Sequence, residues 1–350
     1  MPKVSIIIPV YNVEKYLKKC LNCIVNQTLT DFEVICINDG STDNSLEILN
    51  EYAKNDKRFI VISQENQGQG VARNRCLELV KGEYIQFIDP DDWVETNMLE
   101  TLYDFAKKHD SQIVKFDYFE IFEYSNKLKK IDFVNRIKKD FKYDLISKPY
   151  YSWRQLKKGC LTKFDLHVWA HFYSAEFIKS NNIRFNSTKH GEDHLFANGA
   201  LILADRVDYL NEYLYYYRIR SGSAVNIKSD QNFCVFDNVE QFKKFLIQHS
   251  LYEELKDEFK DYAQQAVCWP YDMIPQESKK RYEELCCRYF ESEKDFKKLI
   301  KAREKGRSFI ENIFSIKNKR DGAKKYKVIT VLGCPFVIKP KSKEVINAEI

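Results

Sequence analysis

Three carboxylates fall within the four residues Asp89-Pro90-Asp91-Asp92, directly after the apolar run Tyr84-Ile85-Gln86-Phe87-Ile88. Like charges crowded at the mouth of a core strand are costly unless a cation sits among them. A divalent metal held by one or two carboxylates and by substrate phosphates is the usual solution for an oxygen-ligand site. That chemistry points to a nucleoside-diphosphate substrate. The same residues also fit a solvated turn in which Asp92 caps a helix starting near residue 96, because Asp-Pro-Asp is turn chemistry. The tetrapeptide alone does not separate the two.

The elements around it favour the first reading. Apolar strands are predicted over 4–10, 32–38, 59–63 and 84–88, with helices over 14–26, 43–54 and 68–81 between them. This alternation implies a mostly parallel sheet covered on both faces. Ligands of such sheets bind outside the carboxyl ends of the strands. Each of those ends is polar: Pro9, Tyr11 and Asn12 after the first, residues 38–43 after the second, 64–70 after the third and the aspartates after the fourth. Asp39 stands where α/β nucleotide sites place a carboxylate that accepts from ribose or base, whereas Asp43 is placed to cap the next helix. Gly68 and Gly70 let a loop pass close to a ligand and deliver Arg73 towards negative charge, or they simply make a loop.

At 350 residues the chain allows one large or two modest domains, and 44% hydrophobic with 31% charged residues describes a globular protein. No apolar run approaches the roughly 18 residues of a membrane span, and the opening Met1-Pro2-Lys3 leads straight into a strand, so a cytoplasmic protein is expected. Ten cysteines invite a disulfide or zinc reading. Cys20 and Cys23, however, lie on an amphipathic helical stretch with no matching pair downstream, so buried thiols are expected, Cys286 and Cys287 included. The net charge of +5 is uneven: between 317 and 344 there are nine Lys or Arg against Asp321 and Glu344. Residues 111–223 are richer in aromatics, with strands predicted over 113–121 and 207–218. Helical patterns such as 236–248 and 278–289 then dominate, which places a boundary near residue 225.

Four ordered motifs carry a family resemblance. Val4-Ser5-Ile6-Ile7-Ile8-Pro9-Val10-Tyr11-Asn12, Ile37-Asn38-Asp39-Gly40-Ser41-Thr42-Asp43, Asn66-Gln67-Gly68 with Ala72-Arg73-Asn74, and Phe87-Ile88-Asp89-Pro90-Asp91-Asp92 together resemble the family 2 inverting glycosyltransferases of GT-A fold. Further matches are Val168-Trp169-Ala170-His171-Phe172-Tyr173, Gly191-Glu192-Asp193, and Tyr217-Arg218 with Ser221-Gly222-Ser223, similar to bacterial members that build surface polysaccharides or teichoic acids. The implied fold is α/β, a Rossmann-like, mostly parallel sheet with flanking helices. It would occupy residues 1–225, a nucleotide half over 1–110 and an acceptor half over 111–225, followed by a helical region over 226–316 and a basic, apolar tail over 317–350.

The resemblance implies roles. Asp39 would bind the uracil or ribose end of a UDP-sugar, Asp89 the ribose side and Asp91 a Mn2+ or Mg2+ ion on the diphosphate, with Asp92 supporting that site; Pro9, Tyr11, Asn12 and Arg73 belong to the same donor site. Asp193 would be the base that deprotonates the acceptor hydroxyl; the alternative is that Glu192 and Asp193 cap a helix over 194–203. Arg218 and Ser223 would close over the diphosphate, with Arg220 an alternative contact. Trp169, His171 and Glu192 would face the acceptor, and His171 replaces a common lysine. His190 and His194 flank the base as acceptor contacts or plain surface.

The implied activity is transfer of a hexose or N-acetylhexosamine from a UDP-sugar to a glycan or lipid-linked acceptor. A peripheral position on the inner membrane face through the basic tail is expected; its rival is a tail packed on the helical region or on another subunit of a homo-oligomer. A nucleic-acid partner is not expected, because the basic tail carries no recognisable binding motif. The competing functions are a sugar-phosphate nucleotidyltransferase, disfavoured by the lack of a glycine-rich basic loop after the first strand, and a catalytically inactive glycan-binding or scaffold protein.

Overall fold

The computed structural model describes residues 1–302 apart from 124, 126, 146, 157–158, 189 and 221–227, together with the backbone of strands 314–321, 324–331 and 334–338. The first half follows the predicted alternation: β1 (Val4–Val10), α1 (Glu14–Val25), β2 (Phe32–Asp39), α2 (Ser45–Asn55), β3 (Phe59–Gln64), α3 (Gln69–Leu79) and β4 (Tyr84–Phe87). β1 and β2 are buried along their whole length, so their apolar side chains read as unbroken runs rather than alternating ones. Ile6, Ile7 and Ile8 are fully buried, each contributing on the order of 2 kcal/mol of hydrophobic stabilisation. Helix α1 turns Leu17, Cys20, Leu21 and Ile24 inward at helical spacing and leaves its lysines outside.

The second half builds outward with β5 (Trp93–Val94), α4 (Met98–His109), β6 (Ile113–Phe122), β7 (Lys127–Ile131), α5 (Phe133–Phe141), β8 (Tyr150–Tyr151), β9 (His171–Ser174), α6 (Ala175–Ser180), α7 (Asp193–Leu203) and β10 (Val207–Ile219). The sheet order is β3-β2-β1-β4-β9-β6-β10-β5, with β7 on β6 and β8 on β10. β1 to β4 are parallel, β9 runs antiparallel between β4 and β6, and β6 and β10 are parallel. The antiparallel β9 brings His171 and the preceding Trp169 back alongside β4.

The chain divides at Tyr282/Glu283 rather than near residue 225. The helices α8 (Cys234–Gln248) and α9 (Lys256–Cys268) belong with the sheet because α8 packs on α7, where a Cβ on Gly199 would meet the Phe245 ring at 2.9 Å. After α10 (Lys279–Cys286), the second unit carries an antiparallel sheet of β11 (Phe314–Asp321), β12 (Lys324–Val331) and β13 (Cys334–Ile338). The first of these strands begins inside the stretch expected to be helical, 226–316. Among the described residues no helix is long and apolar enough to cross a membrane.

The described cysteines are free thiols. Burial pushes Cys23 up to about 11, the opposite of the activation a redox pair needs, and its Sγ donates to the Cys20 carbonyl.

Candidate active site

The strand ends of β1 to β4 converge, and their loops are fastened to one another by side chains. Asn12 Oδ1 accepts from the Thr42 amide at 2.8 Å, while the Asn12 amide donates to Ser41 Oγ at 3.1 Å. Asp43 accepts from the Ser45 amide at the start of α2 and from the Glu14 amide at the start of α1, both at 3.0 Å. It therefore ties together the starts of two helices, and against the opposing effect of burial the hydrogen bonds from the Ser45 side chain and these amides hold its carboxyl below the usual range. Pro9 is buried within β1, and Tyr11 stands 47% exposed.

Asp39 is buried, and its carboxylate accepts from the amides of Gln67 at 2.9 Å and Gly68 at 2.8 Å and from Gln64 Nε2 at 2.8 Å. The loop over 64–70 is thereby folded onto the end of β2. Gly68 has φ +92°, which only glycine adopts without strain, and a Cβ on Gly70 would lie 2.1 Å from the Asn186 carbonyl. The start of α3 thus lies against the segment that leads to Glu192.

The aspartate cluster divides by partner. Asp92 is buried and does not cap α4, whose N-cap is Asn97. It accepts instead from the Arg218 amide at 2.7 Å and the Tyr215 hydroxyl at 2.9 Å. The same hydroxyl accepts from the Asp89 amide at 3.0 Å. Burial first, then the charges of Asp91 and Asp89, push the Asp92 carboxyl well above its ordinary value. Asp91 accepts from Arg220 Nε at 2.8 Å on its carboxylate and from Arg218 Nε at 2.7 Å on its carbonyl. Arg218 and Arg220 both lie over the Tyr16 ring, at 4.8 and 5.1 Å. Ser223 lies outside the described residues.

Arg73 joins the two sides of the site. Its buried guanidinium donates to Asp89 Oδ1 at 2.8 Å, Glu192 Oε1 at 2.9 Å and Gln69 Oε1 at 3.1 Å. Burial pushes Asp89 up against the opposing pull of Arg73. Burial and then Asp193 raise Glu192 to about 7, although Arg73 draws it down.

Asp193 opens α7, and among the described residues no donor reaches its carboxylate. Glu192, the N-cap, makes no capping hydrogen bond with its side chain either. The loop behind them is clamped from α8: Asn238 Nδ2 donates to the His190 carbonyl at 2.8 Å, and its Oδ1 accepts from Asn186 Nδ2 and Thr188 Oγ1 at 2.9 and 2.6 Å. Gly191 turns at φ +67° directly against Asn238. His194 Nδ1 lies 3.5 Å from the Tyr262 hydroxyl on α9.

Trp169 and His171 are buried, 3% and 1% exposed, and form the wall behind the site rather than its surface. Trp169 stacks on Tyr215 at 4.4 Å between ring centroids. Burial, then the neighbouring Lys115, lowers His171 to about 3, so it stays neutral. Lys115 is its register partner on β6, and its ammonium points to the Ala170 carbonyl at 3.4 Å.

Tyr215, Asn238 and the Lys115–Asp165–His167 group were not singled out from sequence as site residues. Tyr215 stood beside the motif residues 217–218 and could have been found there, and Arg220, expected as an alternative contact, does reach Asp91. Asn238 gave no local signal at all.

Among the described residues, no group of three or more His, Cys, Asp or Glu side chains is arranged to cage a metal ion. A single carboxylate that shares its ion with a substrate diphosphate is a different arrangement, and Asp91 fits it: the charge it attracts here is a guanidinium.

A parallel half with carboxylates at its strand ends, extended by a mixed half that presents an acid at a helix start, is the GT-A class of fold. Residues 5–170 match Glycosyl transferase family 2, and the chain belongs to that family. It is 36% identical over 231 residues to glycosyltransferase GlyA of Streptococcus pneumoniae, covering 65% of this chain and 32% of GlyA. Glycosyltransferase GlyG of the same organism is 30% identical over 256 residues, covering 69% of this chain and 78% of GlyG. The chain spans between about a third and two thirds of the length of the curated relatives most like it in sequence. Among solved structures, Staphylococcus aureus TarS 1–349 in complex with UDP-GlcNAc superposes with a TM-score of 0.56 at 20% identity, covering 97% of this chain and 100% of that one. At that identity the likeness concerns the fold.

Proposed function

We propose that this protein is an inverting glycosyltransferase that moves a hexose or N-acetylhexosamine from a UDP-sugar to a hydroxyl of a glycan or lipid-linked acceptor in bacterial surface-glycan synthesis. The observation that carries the reading is the contrast at the two ends of Arg73: Asp89 and Glu192 are ion-paired, while Asp193, next to Glu192, has no donor among the described residues. A carboxylate left unpaired beside two acids engaged elsewhere is suited to take a proton from an incoming hydroxyl.

Asp39, with the loop it folds over β2, forms the nucleoside end, and Tyr11 offers a ring to the base. Arg218 and Arg220, stacked over Tyr16, are positioned to turn from Asp91 to an anionic diphosphate, offsetting charge on the departing UDP. Asp91 would hold a divalent cation, Mn2+ or Mg2+, which supplies Lewis-acid stabilisation of the leaving group when bound. Asp92, fixed by Tyr215, keeps that loop in shape. Asp193 deprotonates the acceptor on the face opposite the diphosphate, so the anomeric configuration inverts. The basic stretch between 317 and 344 supports a peripheral site on an anionic membrane face at about 1 kcal/mol per well-placed cation; sedimentation that ignores anionic liposomes at low salt would exclude it.

The deciding experiment measures UDP release from a panel of UDP-hexoses and UDP-N-acetylhexosamines with Mn2+ or EDTA, for the wild type and Asp91→Ala. Metal-dependent release from one donor, lost in the variant, supports the reading. Absence of UDP binding sinks it. The anomer of any product, read by proton NMR, tests inversion separately.

A further inference from the structure

One charged cluster has no part in the chemistry described above. His167 precedes Trp169 by two residues, and its ring packs 4.7 Å from Trp169 and 5.8 Å from Tyr217. Its Nδ1 lies 2.6 Å from Asp165 Oδ1, and its backbone amide donates to the same oxygen at 3.2 Å. Asp165 is buried, and its other oxygen pairs at 3.2 Å with Lys115, whose side chain is fully buried. Lys115 already pairs with Asp165, so the imidazole is a second group held on one carboxylate. Unlike its partners, the His167 side chain is 43% exposed. An ordinary core histidine needs neither a buried anionic anchor nor that opening.

The orientation follows from the anchor. Nδ1 is committed to Asp165, with the Tyr118 hydroxyl at 3.5 Å as its only other neighbour among the described residues, which leaves Nε2 as the available nitrogen. The ring rests on Trp169, which stacks on Tyr215, which in turn fastens Asp89 and Asp92. His167 is therefore two stacked rings from the aspartate cluster. Asp193 also acts on it: with Asp165, it raises the imidazole above its ordinary value although burial and Lys115 lower it.

We propose that His167 is a specificity-determining contact for the acceptor, donating from Nε2 to a hydroxyl of a neutral sugar next to the hydroxyl that Asp193 activates. The turn over 168–170 packs on α7, which Asp193 opens, and an added anion there would meet that carboxylate, so a neutral acceptor fits better than an anionic one. Asp165 and Lys115 are the positioning residues that fix the tautomer and aim the ring. The inference rests on the reading of Asp193 as the base.

The test uses the full chain with UDP and Mn2+, labelled with 15N-histidine, and titrated with a panel of methyl glycosides. The His167 imidazole signal is assigned by its loss in His167→Gln. At least one methyl glycoside is expected to shift the Nε2 resonance saturably, and its analogue lacking one ring hydroxyl is expected to bind about 10- to 100-fold more weakly, as for loss of one charge-assisted hydrogen bond. His167→Gln should weaken that glycoside similarly while UDP affinity holds. The glycoside's affinity should also fall as pH rises through the imidazole titration and lose that dependence in the variant; the ionisable groups around the ring are Asp165, Lys115, Tyr118, Tyr217, His171 and Asp193. No shift with any glycoside, an anionic glycoside preferred over every neutral one, or equal affinity in His167→Gln overturns the proposal. A wild type that fails to bind UDP instead removes the reading beneath it.

Discussion

The carboxylates at the strand ends and the carboxylate that opens α7 have opposite surroundings. Asp39 accepts from two amides and a glutamine, Asp92 from an amide and a tyrosine, and Asp89 and Asp91 from arginines. Asp193 has no such partner among the described residues. The first group spends its lone pairs holding loops in place; the second, among the described residues, does not. An acid that is fully hydrogen-bonded shapes a site, and one that is held in place only by its backbone can do proton chemistry in it.

Removing the unpaired acid gives the largest effect. Asp193→Asn is expected to lower transfer by about 100- to 10,000-fold with UDP affinity unchanged by calorimetry. Near-normal turnover would make Asp193 no different from the strand-end acids. Next comes the contact that brings the two regions together. Gly70→Ala forces a Cβ to within 2.1 Å of the Asn186 carbonyl, and a loss of roughly 2–4 kcal/mol in denaturant unfolding is expected. Tyr215→Phe leaves the buried Asp92 oxygen and the Asp89 amide each short of a partner, for about 1–3 kcal/mol, with weaker UDP binding. Asn238→Ala loosens only the loop behind Asp193, so kcat should drop about tenfold while UDP affinity stays, the reverse of the Tyr215 outcome.

The smallest effect is a pH dependence that belongs to Glu192. Its folded value of about 7 lies above that of an ordinary carboxyl, so between roughly pH 4.5 and 7 the native state binds the proton more tightly than the unfolded chain. Stability conferred by the protonated form is present below that window and is lost as pH rises through it. Urea midpoints of wild type and Glu192→Gln, compared at pH 5 and pH 8, should diverge in that direction; parallel curves would show that Arg73 offsets the burial of Glu192 more fully than its raised value implies.

Much of the donor side was legible because parallel strands advertise themselves as unbroken apolar runs and their ends as polar breaks. The expected strand over 84–88 and the observed β4 differ by one residue, and Ile88 still donates to the Ile7 carbonyl at 3.0 Å. Asp43 was expected to cap α2 and does reach the Ser45 amide, though the N-cap is Asn44, and the second helix start it holds, that of α1, could not be read because Glu14 is 29 residues away in sequence. The acceptor side was less legible. Trp169 and His171 carried a motif, but whether an aromatic pair faces a ligand or a neighbouring strand depends on β9 running antiparallel beside β4 and β6. The division at Tyr282/Glu283 was missed for a similar reason: amphipathic helices look alike whether they cover a sheet or stand apart from it.

The sequence by itself determined the α/β alternation, the order of the strand-end motifs and the family, because periodicity and local turn chemistry are written residue by residue. Only the tertiary structure decided which acids are saturated and which are free. Arg73 meets Glu192 across 119 positions, Tyr215 meets Asp92 across 123, and Asn238 meets His190 across 48. Hydrogen bonds of that separation depend on packing of the whole sheet and its covering helices, and no local pattern encodes them.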